Sequence, residues 1–206
     1  MIENLTEQFL AGIKQTSWLE YAAVVAGIAS VLLSKKENIL VYPVGLINTI
    51  IYVYLSFKYH LIGEAGVNFY YTIMSVYGWM LWSKKDVHQH QLSISFSTPK
   101  EMKQQLAFFF ILYALLYFLL SYLKEYFYEG AIPWADGLAS ATAFTGMYLM
   151  AKKKVESWWW WIATNLASVP LYFVKGLVVT SVYYLVLLWL AIFGLQEWRQ
   201  RAGNTN

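Results

Sequence analysis

The chain has 206 residues and a net charge of +3; 59% of it is hydrophobic and 13% charged, against roughly 25% charged in ordinary soluble domains. So small a net charge gives no footing for nucleic acid, and a chain without cysteine has no disulfide framework, thiol nucleophile or thiolate metal site. The 10 Trp and 17 Tyr suit membrane–water interfaces and flat apolar pockets with a polar edge.

Residues 1–16 carry Glu3, Glu7 and Lys14 and lack the apolar core and small-residue cleavage site of a signal peptide. They read as a polar lead-in, or as an interfacial amphipathic helix through Leu5, Phe9, Leu10 and Ile13. A bilayer core of about 30 Å takes about 20 apolar residues per helix. Seven stretches fit: 17–34, 38–57, 61–82, 105–127, 134–151, 157–174 and 176–197. Residues 83–104 read as a polar surface loop containing His88 and His90, and 199–206 as a tail. With His60 also in a connection, no histidine lies in a span, and His88-x-His90 reads as solvated loop rather than a metal site.

Seven spans put the termini on opposite faces. One face then holds Lys35, Lys36, Lys84, Lys85, Lys100, Lys103, Lys152, Lys153, Lys154, Arg199 and Arg201; the other holds Lys14, Lys58, Lys124 and Lys175. By the excess of basic residues on the inner face, the N-terminus lies outside and the C-terminus in the cytoplasm.

Trp18 and Trp82 stand 64 positions apart, as do Trp134 and Trp198. At an offset of 116, Glu20 matches Asp136, Lys36 matches Lys152 and Gly78 matches Gly194; a one-residue slip then pairs Asn48 with Asn165 and Lys58 with Lys175. The expected fold is therefore all-α: seven transmembrane helices as two parallel three-helix repeats, 17–82 and 134–198, joined by a linker helix and outer loop within 105–133 (3+1+3). Such repeats bind solute between them near the midplane and rock to alternate access.

Polar side chains at bilayer depth are costly unless paired or hydrated. Asn48, Asn68 and Asn165 are candidates to grip a polar ligand, with interhelical hydrogen bonding as the alternative role. Glu20 and Asp136 fall in first turns, where a carboxylate complements the helix dipole, and Glu64 lies near the outer start of its span. Trp158 and Trp161 share a face with Asn165 one turn on, while Asn68, Tyr71 and Ser75 form a second stripe extending towards Gly78. Walls of this kind suit a flat, cationic heteroaromatic ring.

Glu156 with Trp158-x-x-Trp161, the run Gly63-Glu-Ala-Gly-x-Asn-Phe-Tyr-Tyr71, Tyr77-Gly78-Trp79, and the closing Gly194 with Trp198 together resemble the PnuC family of bacterial vitamin transporters. The resemblance covers Trp18 to Trp198. It implies a multi-pass inner-membrane facilitator with a SWEET-like layout, no cofactor and no enzymatic activity, and assembly as a homo-oligomer, a trimer in the family. Its solute would be an unphosphorylated B-vitamin, trapped inside by a cytoplasmic kinase: nicotinamide riboside first, thiamine or riboflavin as alternatives, and a sugar more distantly. Trp158, Trp161 and Asn165 would line the site from the sixth helix; Asn48, Asn68 and Tyr71 complete the candidate substrate-binding residues. Nicotinamide riboside carriers often have Gln at the third-helix position held here by Asn68, so the vitamin is left open.

Overall fold

The computed structural model describes residues 17–58, 62–84, 92–126 and 132–203, together with Glu7. The lead-in other than Glu7, all three histidines, and the side chain of Glu64 lie outside the described residues. Among them are seven α-helices: α1 (Trp18–Lys35), α2 (Val41–Lys58), α3 (Ile62–Ser83), α4 (Pro99–Tyr126), α5 (Pro133–Ala151), α6 (Ser157–Val174) and α7 (Val178–Gly203). Each overlaps a predicted span.

Local chemistry explains the boundaries. Ser17 and Glu20 form a capping box at the start of α1: the Ser17 amide donates to Glu20 Oε2 (2.6 Å) and the Glu20 amide to Ser17 Oγ (3.3 Å). At α5, Pro133 occupies the first turn, and the Asp136 carboxylate accepts from the Ile132 amide (2.7 Å) and pairs with Lys175 (2.6 Å). Both first-turn acids are thus occupied in holding helix ends. A turn through Gly176 at φ +76° separates α6 from α7, the left-handed region where a side chain is strained.

Two predicted boundaries are corrected. The segment 83–104 is not wholly a surface loop, because α4 already begins at Pro99. Thr98 and Glu101 cap it reciprocally (Thr98 amide to Glu101 Oε2 2.8 Å, Glu101 amide to Thr98 Oγ1 3.3 Å), a start signal written in the sequence as Thr-x-x-Glu. Upstream, Ile94 is buried, and Ser95 exchanges backbone hydrogen bonds with the α5–α6 turn, donating to the Lys153 carbonyl (3.1 Å) and accepting from Val155 (3.0 Å). Ser97 donates from both amide and hydroxyl to the Glu156 carboxylate (2.8 to 3.0 Å). The tail is likewise helical to Gly203: Ala202 is buried, and Arg201 pairs with Glu197 one turn back (2.9 Å).

Consecutive helices pack in sequence from α1 to α3 and from α4 to α7, and the two sets meet where α3 contacts α5 and α1 contacts α7. Four helices (α1, α2, α4, α7) are long and apolar enough to cross a membrane. The other three are richer in small, hydroxylic and aromatic residues. α5 is the most enclosed, burying Ala135, Gly137, Ala139, Ala141, Ala143 and Gly146; small side chains let neighbouring backbones approach closely, which is how helices associate in lipid.

Contacts at the end where the basic residues collect repeat at an interval of 116. Trp82 Nε1 donates to the Ala151 carbonyl (3.1 Å), and Trp198 Nε1 to the Lys35 carbonyl (3.2 Å). Tyr42 packs edge-on to Trp82 (5.1 Å) and fills the space beside Gly78; Trp158 packs edge-on to Trp198 (5.6 Å) and fills the space beside Gly194. A Cβ at either glycine would collide with the aromatic ring. Burial keeps the same interval along α2 and α6. Tyr42 and Trp158, Thr49 and Asn165, and Leu55 and Leu171 are all buried, whereas Ile50 and Leu166 are exposed. The one-residue slip is therefore corrected over this stretch: the register counterpart of Asn165 is Thr49, and that of Asn48 is Thr164.

Candidate solute site

The four consecutive Trp of α6 point in four directions, as 100° per residue requires. Trp159 is 55% exposed, facing outward. Trp160 donates its indole N–H to Gln105 Oε1 on α4 (3.0 Å) and rests on Phe109 (4.9 Å). Trp158 is 1% exposed, enclosed by Gly194 and Trp198. Trp161 is half-buried beside Gly146 of α5 and Tyr71 of α3, its ring centroid 6.1 Å from that of Tyr71. Trp158 and Trp161, although three residues apart, thus serve different neighbours: α7 for the first, α3 and α5 for the second.

Around Trp161 lies a continuous aromatic interior. Tyr71 meets Phe144 edge-on (6.2 Å), and Phe144 stacks on Tyr70 (4.1 Å), whose hydroxyl donates to the Phe144 carbonyl (3.1 Å). On α7, Tyr183 packs edge-on to its neighbour Tyr184 (5.8 Å). Tyr184 stacks in turn on Tyr172 (5.1 Å). These rings come from α3, α5, α6 and α7.

The polar candidates divide. Asn165 is buried one turn beyond Trp161, next to Thr164, whose hydroxyl meets that of Thr142 (3.0 Å) and links α6 to α5. Asn48 donates from Nδ2 to the Ala23 carbonyl (2.6 Å), pinning α2 to α1. It also converges with the Tyr183 hydroxyl on the bare face of Gly27, so Tyr183 connects it to the aromatic group. Asn68 lies one turn from Tyr71, half-buried, and its carbonyl accepts from Thr72 Oγ1 (2.9 Å). Thr72 meets Thr49 hydroxyl to hydroxyl (3.0 Å). In the expected third-helix stripe, Tyr71 turns to Trp161, while Ser75 and Gly78 seat α2 at Gly45 and Tyr42. Among the described residues no three of His, Asp or Glu group as metal ligands would.

Sequence reading missed Tyr70, Tyr183, Tyr184, Phe144 and Gly27. The available signal was Tyr183-Tyr184 inside a run otherwise rich in Val and Leu, where a phenol is away from the interfacial belt and needs a polar neighbour. Chemically, the interior offers ring faces, several phenol hydroxyls and the carboxamides of Asn48, Asn68 and Asn165, none of which is ionised. That combination suits a neutral or cationic heteroaromatic ring bearing hydroxyls.

The family model described as nicotinamide mononucleotide transporter matches residues 17–200. The nicotinamide riboside transporter PnuC of Escherichia coli is 23% identical over 91% of this chain and 87% of its own length. The riboflavin/roseoflavin transporter RibM of Streptomyces davaonensis is 24% identical over 96% of this chain and 92% of its own. A crystal structure of the vitamin B3 transporter PnuC superposes with a TM-score of 0.73 at 21% identity, covering 100% of this chain and 91% of that one.

Proposed function

Because this chain belongs to the nicotinamide mononucleotide transporter family and is similar to PnuC and RibM, we propose that it is a facilitator admitting an unphosphorylated B-vitamin, nicotinamide riboside first. It is a membrane transporter of the vitamin-carrying kind; the choice of vitamin, downhill transport and trapping by a cytoplasmic kinase are this reading's own. The observation that carries it is the Trp161–Tyr71 pair, with Asn165 one turn away, at the meeting of α3, α5 and α6. In this reading Trp161 and Tyr71 stack on the heteroaromatic ring, and Asn165, Asn48 and Asn68 bind its polar groups. Trp158 closes the basic end beneath them and becomes a contact once that end opens. Thiamine fits the same chemistry. The similarity to RibM, over slightly more of the chain than to PnuC, favours riboflavin as a second reading.

The proposed architecture is two parallel triads, α1–α3 and α5–α7, with α4 as linker. It is supported by contacts that exchange under the 116 interval, and by residues that touch their own counterparts: Ser34 with Met150, Glu37 with Lys153, and Trp82 with Trp198. A residue meets its own counterpart only at a two-fold axis. Rocking the triads apart at the basic end would break these three pairs first.

Uptake of labelled nicotinamide riboside, thiamine and riboflavin into liposomes tests the substrate. Saturable entry of one vitamin without an ion gradient is expected; entry that requires an imposed proton gradient would remove the facilitator mechanism. The chain lacks cysteine, so single replacements test orientation directly. Cys at Lys175 should react with an impermeant maleimide in intact cells and Cys at Lys36 should not, and the reverse result would invert the topology.

A further inference from the structure

Away from the aromatic interior, a cleft of about 460 Å³ opens at the basic end between the first turns of α4 and the last turn of α5. Glu101, Gln104 and Phe108 line it from α4, Tyr148 from α5, and Lys152 and Lys154 from the turn that follows. Lys154 is matched by Glu101 (3.0 Å). Lys152 is not: its ammonium hydrogen-bonds the Tyr148 hydroxyl and lies over that ring (4.3 Å), and among the described residues no carboxylate pairs with it. Since the phenol oxygen accepts from Lys152, its own proton remains available to donate. The cleft thus holds one uncompensated positive charge, a phenol O–H and the Gln104 amide, above an apolar floor formed by Phe108 and Leu149.

We propose that this cleft binds a phosphate ester. A compact ammonium flanked by neutral donors is a point-charge anchor for phosphate oxygens, and the Phe108 floor accommodates an apolar continuation beyond the phosphate. The cleft's position fits a phospholipid headgroup: α4 is exposed along most of its length, including Phe110, Ile111, Leu115 and Phe118, and basic pockets between transmembrane helices on the inner side take anionic headgroups. A soluble phosphate ester offers the same chemistry. The fold ties the cleft to α6, because Gln105, next to Gln104, accepts the Trp160 indole N–H (3.0 Å). An occupant would brace α4 against α5 and, through Trp160, steady the start of α6. The proposal stands independently of which vitamin is carried.

The test compares the wild-type protein with Lys152→Gln, Lys152→Arg and Gln104→Ala. One arm uses native mass spectrometry and thermal shift with phosphatidylglycerol against phosphatidylcholine; the other uses inorganic phosphate and glycerol 3-phosphate in neutral detergent. Phosphatidylglycerol is expected to bind and stabilise, with affinity about tenfold weaker in Lys152→Gln, as for one lost charge-assisted contact, and largely kept in Lys152→Arg. Gln104→Ala, which leaves the charge in place, gives a smaller loss. Lys152-dependent stabilisation by the soluble esters alone would assign the site to a soluble ligand. Should neither class bind, or should binding be equal in wild type and Lys152→Gln, the proposal is overturned.

Discussion

Glu37 and Lys153 stand 116 residues apart in the chain and 2.6 Å apart in the structure, and each is the left-handed residue that ends its helix, at φ 59° and 51°. Beyond the C-caps the two helix ends make equivalent backbone bonds. Lys36 and Lys152 are the C-caps, Glu37 and Lys153 donate to Ser34 and Met150, and Asn38 and Lys154 donate to Leu33 and Leu149. Left-handed backbone is unfavourable for residues other than glycine, so both positions hold side chains where glycine would be the easier choice. The ion pair across the two helix ends is the compensation the structure shows.

That pairing predicts coupled stability. The Lys153 side chain is only 6% exposed, so Glu37→Gln leaves a nearly buried ammonium over the Trp82 ring (4.5 Å) without its counter-charge. A loss of about 2 kcal/mol is expected, below the 3–5 kcal/mol of a fully buried pair because Glu37 is partly exposed. Lys153→Gln should cost less, since Glu37 keeps Arg201 (3.4 Å). Thermal unfolding of the two single variants and the double should give a coupling of at least about 0.5 kcal/mol. Strict additivity would mean that the pair contributes nothing.

A second prediction concerns the glycine notches. Gly194→Ala forces a Cβ into the Trp158 ring, which Trp198 holds from its other side. Overpacking of a rigid ring costs about 1–3 kcal/mol, so the variant should melt lower. Shrinking the ring, as Trp158→Phe in the same background, should recover part of the loss. Gly78→Ala against Tyr42 should behave alike. A Gly194→Ala protein as stable as wild type would show that the notch is loose.

Seven helices were legible because each span is long, mostly apolar and bounded by charges, and the Trp, Gly and Lys landmarks pointed to the 116-residue interval at which contacts recur at the basic end. The start of α4 was hidden by Gln and Lys in its first turns, although Thr98 and Glu101 marked it. The register between α2 and α6 was harder. An Asn is conspicuous in an apolar span, so Asn48 attracted Asn165, whereas burial pairs Asn165 with Thr49. Identity between polar residues is a weaker guide than the period of the buried face. The candidate site was legible only in part, because Tyr183 and Tyr184 lie on a helix whose sequence otherwise reads as lipid-facing.

Trp158 and Trp161 should separate in experiment. Trp158 is a core residue, and its truncation to Ala should cost about 3–5 kcal/mol, lowering folded yield and melting temperature. Trp161 is half-buried on the aromatic interior, so Trp161→Ala should keep most of the stability while weakening vitamin binding about tenfold or more, the loss of one stacking face. Asn165→Ala should likewise weaken binding. Calorimetric titration beside thermal unfolding reads both quantities. If Trp161→Ala and Asn165→Ala bind as wild type does, the solute site lies elsewhere.

Gly27 offers a probe of the other side of the interior. A Cβ there would stand about 2.5 Å from the Tyr183 hydroxyl and 2.9 Å from Asn48 Nδ2 and must displace one or both. Both are ends of side chains rather than backbone, so the fold can yield at moderate expense, chiefly by stretching the Asn48 bond to the Ala23 carbonyl. Gly27→Ala is therefore expected to lower stability by about 1 kcal/mol, the loss of one interhelical hydrogen bond, and to raise the half-saturating vitamin concentration several-fold. Tyr183→Phe in the Gly27→Ala background removes the closer of the two atoms. It should restore stability without restoring affinity if the phenol hydroxyl contacts the solute. Recovery of both would make Tyr183 a spacer, and the polar contact on this side would then fall to Asn48.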